Sequence, residues 1–103
     1  MRLLANPLVF YIPTHTRIAL LRSCLSHYAD AKASSPRKAL AAALGLGVIT
    51  IERWDLLKNH IGDENLEKLL ELALRVVPER AREILLKDLE KHRELLEAYL
   101  KGP

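Results

Sequence analysis

The chain has a single cysteine among its 103 residues, Cys24, one methionine and no glutamine. One cysteine excludes an internal disulfide framework and suits a reducing, cytoplasmic interior. Long apolar runs are missing as well: nothing approaches the ~20 residues that span a bilayer. The opening MRLLANPLVFYIP has no small-residue cleavage site behind a hydrophobic stretch, so neither export nor a membrane partner is expected. There is no glycine-rich phosphate loop, and no pair of carboxylates stands apart from the charged helix faces, so neither an enzyme nor a cofactor is expected. Cys24 and His27 are three apart, a spacing that brings thiolate and imidazole together on a helix. Structural zinc takes four ligands, however, and His15, His60 and His92 lie at unrelated distances, so no metal site is expected. Cys24 reads as a small buried hydrophobe.

What is present is a charge asymmetry. Residues 1–60 hold eight Lys or Arg against three Asp or Glu, and residues 61–103 hold eight against ten. A basic half joined to a near-neutral half suits a module facing nucleic acid coupled to an assembly module, because neutralised phosphates release counterions and dominate affinity. Glu, Lys and Arg crowd the C-terminal half, as in thermophile proteins that rely on ion-pair networks.

The basic half contains the run RKALAAALGLGVITIERWDLL, residues 37–57. Ser35 is placed to accept from free amides as an N-cap, and Pro36 suits the first helical position. Residues 37–44 read as a short helix. Gly45 follows where the chain must leave it through a left-handed conformation, which costs a Cβ-bearing residue about 1 to 2 kcal/mol. A second helix is expected over residues 48–58. Leu40, Leu44, Leu46, Ile51 and Trp54 would fill the wedge between the two, and Ala41 would sit at their closest approach. The spacing predicts two helices crossing through a tight turn, a helix-turn-helix; an ordinary helical hairpin with Gly45 as C-cap is the plainer alternative.

The segment LGLGVITIER, residues 44–53, resembles the turn and recognition helix of the Trp repressor family, whose pattern is L-G-x-G-I-x-T-I-x-R. Gly47 is the specific part, and Thr50, Ile51, Arg53 and Trp54 also resemble the ending of Cro-type motifs. The likeness covers residues 36–54. It implies a DNA-binding fold, with Lys38 reaching DNA from the first helix and Val48 and Ile49 at the groove-facing start of the second. Ala41 stands where that family has a DNA-contacting lysine, and Glu52 where it has a threonine, so base readout is not carried over. Arg53 matches an arginine that contacts the amino-acid corepressor, but its partner arginine has no counterpart, and tryptophan binding is not carried over either.

Around this motif the sequence predicts three segments. Residues 1–13, bracketed by Pro7 and Pro13, read as an extended arm or short strand. Residues 14–62 read as the helix-turn-helix domain, with a first helix to about residue 29, capped by Thr14 or Thr16, that buries Ile18, Leu21, Leu25 and Tyr28. Residues 63–103 read as a helical dimerisation region. There Asp63 is expected to cap a helix that buries Leu66, Leu69, Leu70, Ala73 and Val77. Pro78 then breaks the run, and in the last helix Leu85, Leu89, His92, Leu96 and Tyr99 repeat at spacings of four and three, a heptad seam. The expected fold is all-α: a helix-turn-helix bundle, an amphipathic helix and a longer C-terminal dimerisation helix.

The function these readings imply is that of a dimeric transcriptional regulator of double-stranded DNA, reading the major groove with helix 48–58. Arg37 and Lys38 would hold the phosphate backbone. Gly47, Val48, Ile49, Thr50, Glu52, Arg53 and Lys58 would face the groove, Val48 and Ile49 meeting thymine methyls, Glu52 accepting from cytosine, and Arg53 binding guanine or phosphate. The alternative is a helical adaptor in which exposed Val48 and Ile49 dock a partner protein.

Overall fold

The structure, a computed structural model, describes residues 7–102. A 3-10 turn, Pro7–Tyr11, precedes five helices: α1 (Thr14–Asp30), α2 (Pro36–Leu44), α3 (Val48–Asp55), α4 (Asp63–Val76) and α5 (Pro78–Leu100). The fold is all-α, and the described residues contain no strand. The expected extended arm is instead this 3-10 turn, with residues 1–6 outside the described part. Val9 and Ile12 point into the core, so a short helical turn seals the bundle where an extended segment would leave backbone groups unpaired.

α1 is the central element, packing against each of the other four helices. It starts without a side-chain cap: Pro13 holds the N-cap position in extended backbone, and its carbonyl accepts from the amides of Thr16 and Arg17 at 3.1 Å. Thr16 is buried and Thr14 does not cap, contrary to expectation. α2 begins as its sequence indicates, with Ser35 Oγ accepting from the Lys38 amide at 3.3 Å and Pro36 in the first turn. It ends at Gly45, whose φ is 69°, and the Leu46 amide closes the turn on Ala41 O at 2.9 Å. Leu40, Ala41, Leu44, Ile51 and Trp54 are all buried in one cluster, with Leu46 packed on its edge.

α3 is shorter than predicted. It stops at Asp55 because Leu57 adopts φ 60° and the Lys58 amide folds back to Arg53 O at 2.8 Å. Lys58 therefore lies outside the helix. At α4 the N-cap is Gly62, and Asp63 occupies the first helical position with its carboxylate 2.9 Å from Arg17. Leu66, Leu69, Leu70, Leu72 and Ala73 bury the face of α4 that meets α1, so the core runs unbroken past residue 62.

Arg17 is 5% exposed and holds three segments together. Its Nε donates to Ile12 O at 2.7 Å, Nη1 to Ile61 O at 2.7 Å and Nη2 to Val9 O at 2.9 Å. The buried guanidinium is tolerated because its planar fork finds three carbonyls and the Asp63 carboxylate. α5 leaves this body after a few turns. Ala81 is buried, Ile84 and Leu85 pack on the core, and every described residue from position 89 onward is exposed.

Candidate nucleic-acid interface

α2 and α3 meet through the turn Gly45, Leu46, Gly47, and the burial of Ile51 and Trp54 fixes which face of α3 turns outward. That face carries exposed Gly47, Ile49, Glu52 and Arg53, with Val48 and Thr50 half-buried at its edges. Ile49 is 63% exposed, a large apolar chain held in water. Among the described residues α3 packs only against α1 and α2, so neither α4 nor α5 covers its outer flank.

Gly47 sits at the head of this helix with φ −75° and ψ 148°, a conformation open to any residue. A Cβ built there would meet nothing within 4 Å. Position 47 thus requires glycine neither for its backbone nor for space, in contrast to Gly45, whose left-handed backbone does require it; it is the N-cap of α3, where glycine is favoured over alanine.

The basic residues divide into two groups. Lys38 and Arg53 are exposed and form no ion pair among the described residues, and the same is true of Lys58 beyond the helix end. Arg37 is engaged: its Nη2 lies 2.7 Å from Asp55 Oδ2. Arg22 of α1 reaches the same carboxylate, with Nε 3.4 Å from Oδ1 and Nη2 3.1 Å from the Asp55 carbonyl. Asp55 is thus occupied by two arginines, neither of them its near neighbour Arg53. The pairing of Arg22 with Asp55 was not legible in the sequence, where a separation of 33 residues leaves no local signal.

Of the expected dimerisation residues, Leu85 is half-buried against the core, whereas Leu89, His92, Leu96 and Tyr99 are exposed on the free part of α5. Cys24 is buried and burial pushes its thiol up to about 11, which keeps it protonated and inert at neutral pH. Among the described residues no group of three or more His, Cys, Asp and Glu is placed to hold a metal, and no helix is long and apolar enough to cross a membrane. Comparison with known protein families, curated proteins and solved structures finds no match to this chain.

Proposed function

We propose that the protein is a cytoplasmic, non-enzymatic transcriptional regulator that binds double-stranded DNA as a homodimer, inserting α3 into the major groove without a cofactor. The observation that carries this reading is the uncovered outer face of α3, flanked by unpaired Lys38, Arg53 and Lys58. Val48 and Ile49 would meet thymine methyls, Glu52 would accept from cytosine, Thr50 would bond from the edge of the groove, and Arg53 would bind guanine or a phosphate. Lys38 would hold the backbone from α2, with Arg37 restrained by Asp55. Two copies would place their α3 helices in successive grooves ~34 Å apart.

A second reading, a protein-docking adaptor, draws on the exposed leucines at the end of α3, Leu56 at 48% and Leu57 at 65%. Fluorescence anisotropy on mixed duplex DNA across a salt series separates the two. The DNA reading expects affinity to fall steeply with salt, and Arg53→Ala and Lys38→Ala each to flatten the slope by about one unit. Binding that is absent or indifferent to salt removes the regulator and leaves the adaptor.

A further inference from the structure

The 3-10 turn and the first exposed turns of α5 are the walls of a groove of about 550 Å³. Leu8, Tyr11 and Pro13 line one wall and Leu86, Leu89 and Leu95 the other. The free part of α5 continues this apolar surface outward: Leu96 is 46%, Tyr99 82% and Leu100 72% exposed. A helical overhang of about twelve residues is marginal in water without a surface to pack on. Something of matching shape is needed to cover it.

We propose that the occupant is a second copy of the same chain, whose α5 tip, residues 96–100, enters the groove while its own groove receives the first copy's tip. Three observations favour a copy of this chain over another partner. The first is area. At on the order of 200 Å² for a large side chain, the exposed apolar residues of α5 offer about 750 Å² per copy, and Leu8 and Tyr11 raise that to about 1,000 Å², above the ~800 Å² per side of a specific interface. The second is charge. Over residues 86–101, Lys87, Lys91, Arg93 and Lys101 balance Asp88, Glu90, Glu94 and Glu97, so two copies meet without net repulsion, whereas nucleic acid or an anionic membrane finds no net attraction. The third is symmetry. A two-fold pair must be self-complementary, and an antiparallel crossing centred near His92 sets Leu85 and Leu89 at the base of one helix against Leu96 and Tyr99 at the tip of the other. The 3-10 turn thereby becomes part of the interface, a role that the heptad seam alone does not assign to it.

The inference rests on the dimer half of the proposed function and not on DNA. Light scattering and sedimentation of the full chain without DNA are expected to give twice the 11.7 kDa chain mass. Tyr11→Glu and Tyr99→Glu, both at exposed positions, should each weaken the dimer by roughly thirtyfold or more with unchanged helical circular dichroism, and Ile49→Glu should not. Mixing a Tyr11→Cys copy with a Tyr99→Cys copy under oxidation should give a cross-linked pair. A monomer at all concentrations, as when residues 1–6 of the same chain fill the groove, overturns the inference. So does a dimer indifferent to Tyr11→Glu, or a mixture that fails to cross-link. A dimer that fails the Tyr11 and cross-linking tests sinks this inference alone, a monomer sinks the homodimer with it, and a DNA-inert dimer that passes these tests sinks only the DNA reading.

Discussion

Arg37 Nη2 lies 2.7 Å from Asp55 Oδ2, so the first turn of α2 and the last residue of α3 are tied by one ion pair that Arg22 of α1 shares. Asp55 thus braces the crossing that the buried apolar cluster sets, and it engages two cations that would otherwise face an anionic ligand. Asp55→Asn is expected to lower stability by about 1 kcal/mol, since the arginines are partly exposed. If α3 reads DNA, the freed guanidiniums should also tighten binding and steepen the salt slope by one to two units. Urea unfolding and a salt series on the same variant check both; weaker DNA binding in a folded variant would count against the reading.

Arg17→Met should be far more damaging than any surface arginine replacement. It strands the carbonyls of Val9, Ile12 and Ile61 and takes the partner from the water-accessible Asp63 carboxylate, a loss of about 3 kcal/mol, chiefly from acceptors left unsatisfied. Lysine should not rescue it, because one ammonium cannot span acceptors that the planar fork reaches separately. Chemical denaturation of both variants measures this.

The two glycines of the α2–α3 turn should separate fold from function. Gly45→Ala forces a Cβ into φ 69° and should cost about 1 kcal/mol. Gly47→Ala should cost at most about 1 kcal/mol, since the backbone is already ordinary there and only the N-cap preference for glycine over alanine is lost. Reduced DNA affinity of a still-folded Gly47→Ala would tie the glycine to a ligand, and unchanged affinity would leave it as the helix cap alone.

Cys24 predicts an alkaline weakness. Its folded value, about 11, lies above the ordinary 9.0, so its share of stability is intact below pH 9 and is lost as pH rises toward the folded value. The expected loss across that window is roughly 2 to 3 kcal/mol. Cys24→Ala should be less stable at neutral pH but should lack this increment of pH dependence in unfolding experiments.

The parts of the fold that local chemistry dictates were legible in the sequence. Ser35, Pro36 and Gly45 each announce a backbone state, and the spacing of Leu40, Ala41, Ile51 and Trp54 announces which faces meet. What was hidden depends on residues far apart in the chain. Arg17 looks like any surface cation until the carbonyls of residues 9, 12 and 61 converge on it. Asp63 has the chemistry of an N-cap, but its carboxylate is drawn to Arg17 and Gly62 takes that position. The end of α3 was missed because a leucine, Leu57, holds the left-handed stop where glycine would have signalled it. Within the candidate interface the exposure of Ile49, Glu52 and Arg53 was legible, whereas the packing of Val48 on the core and the tethering of Arg37 by Asp55 were not.

The early stop at Asp55 leaves α3 eight residues long, a rod of about 12 Å. Laid along a duplex, such a rod passes roughly four rungs at ~3.4 Å each. A four-letter word recurs roughly every 250 base pairs by chance, too often for one copy to find a unique address among the competing sites of a chromosome. If α3 reads DNA, spelling a longer word takes two readers at a fixed separation, which the proposed pairing of two copies through α5 would supply.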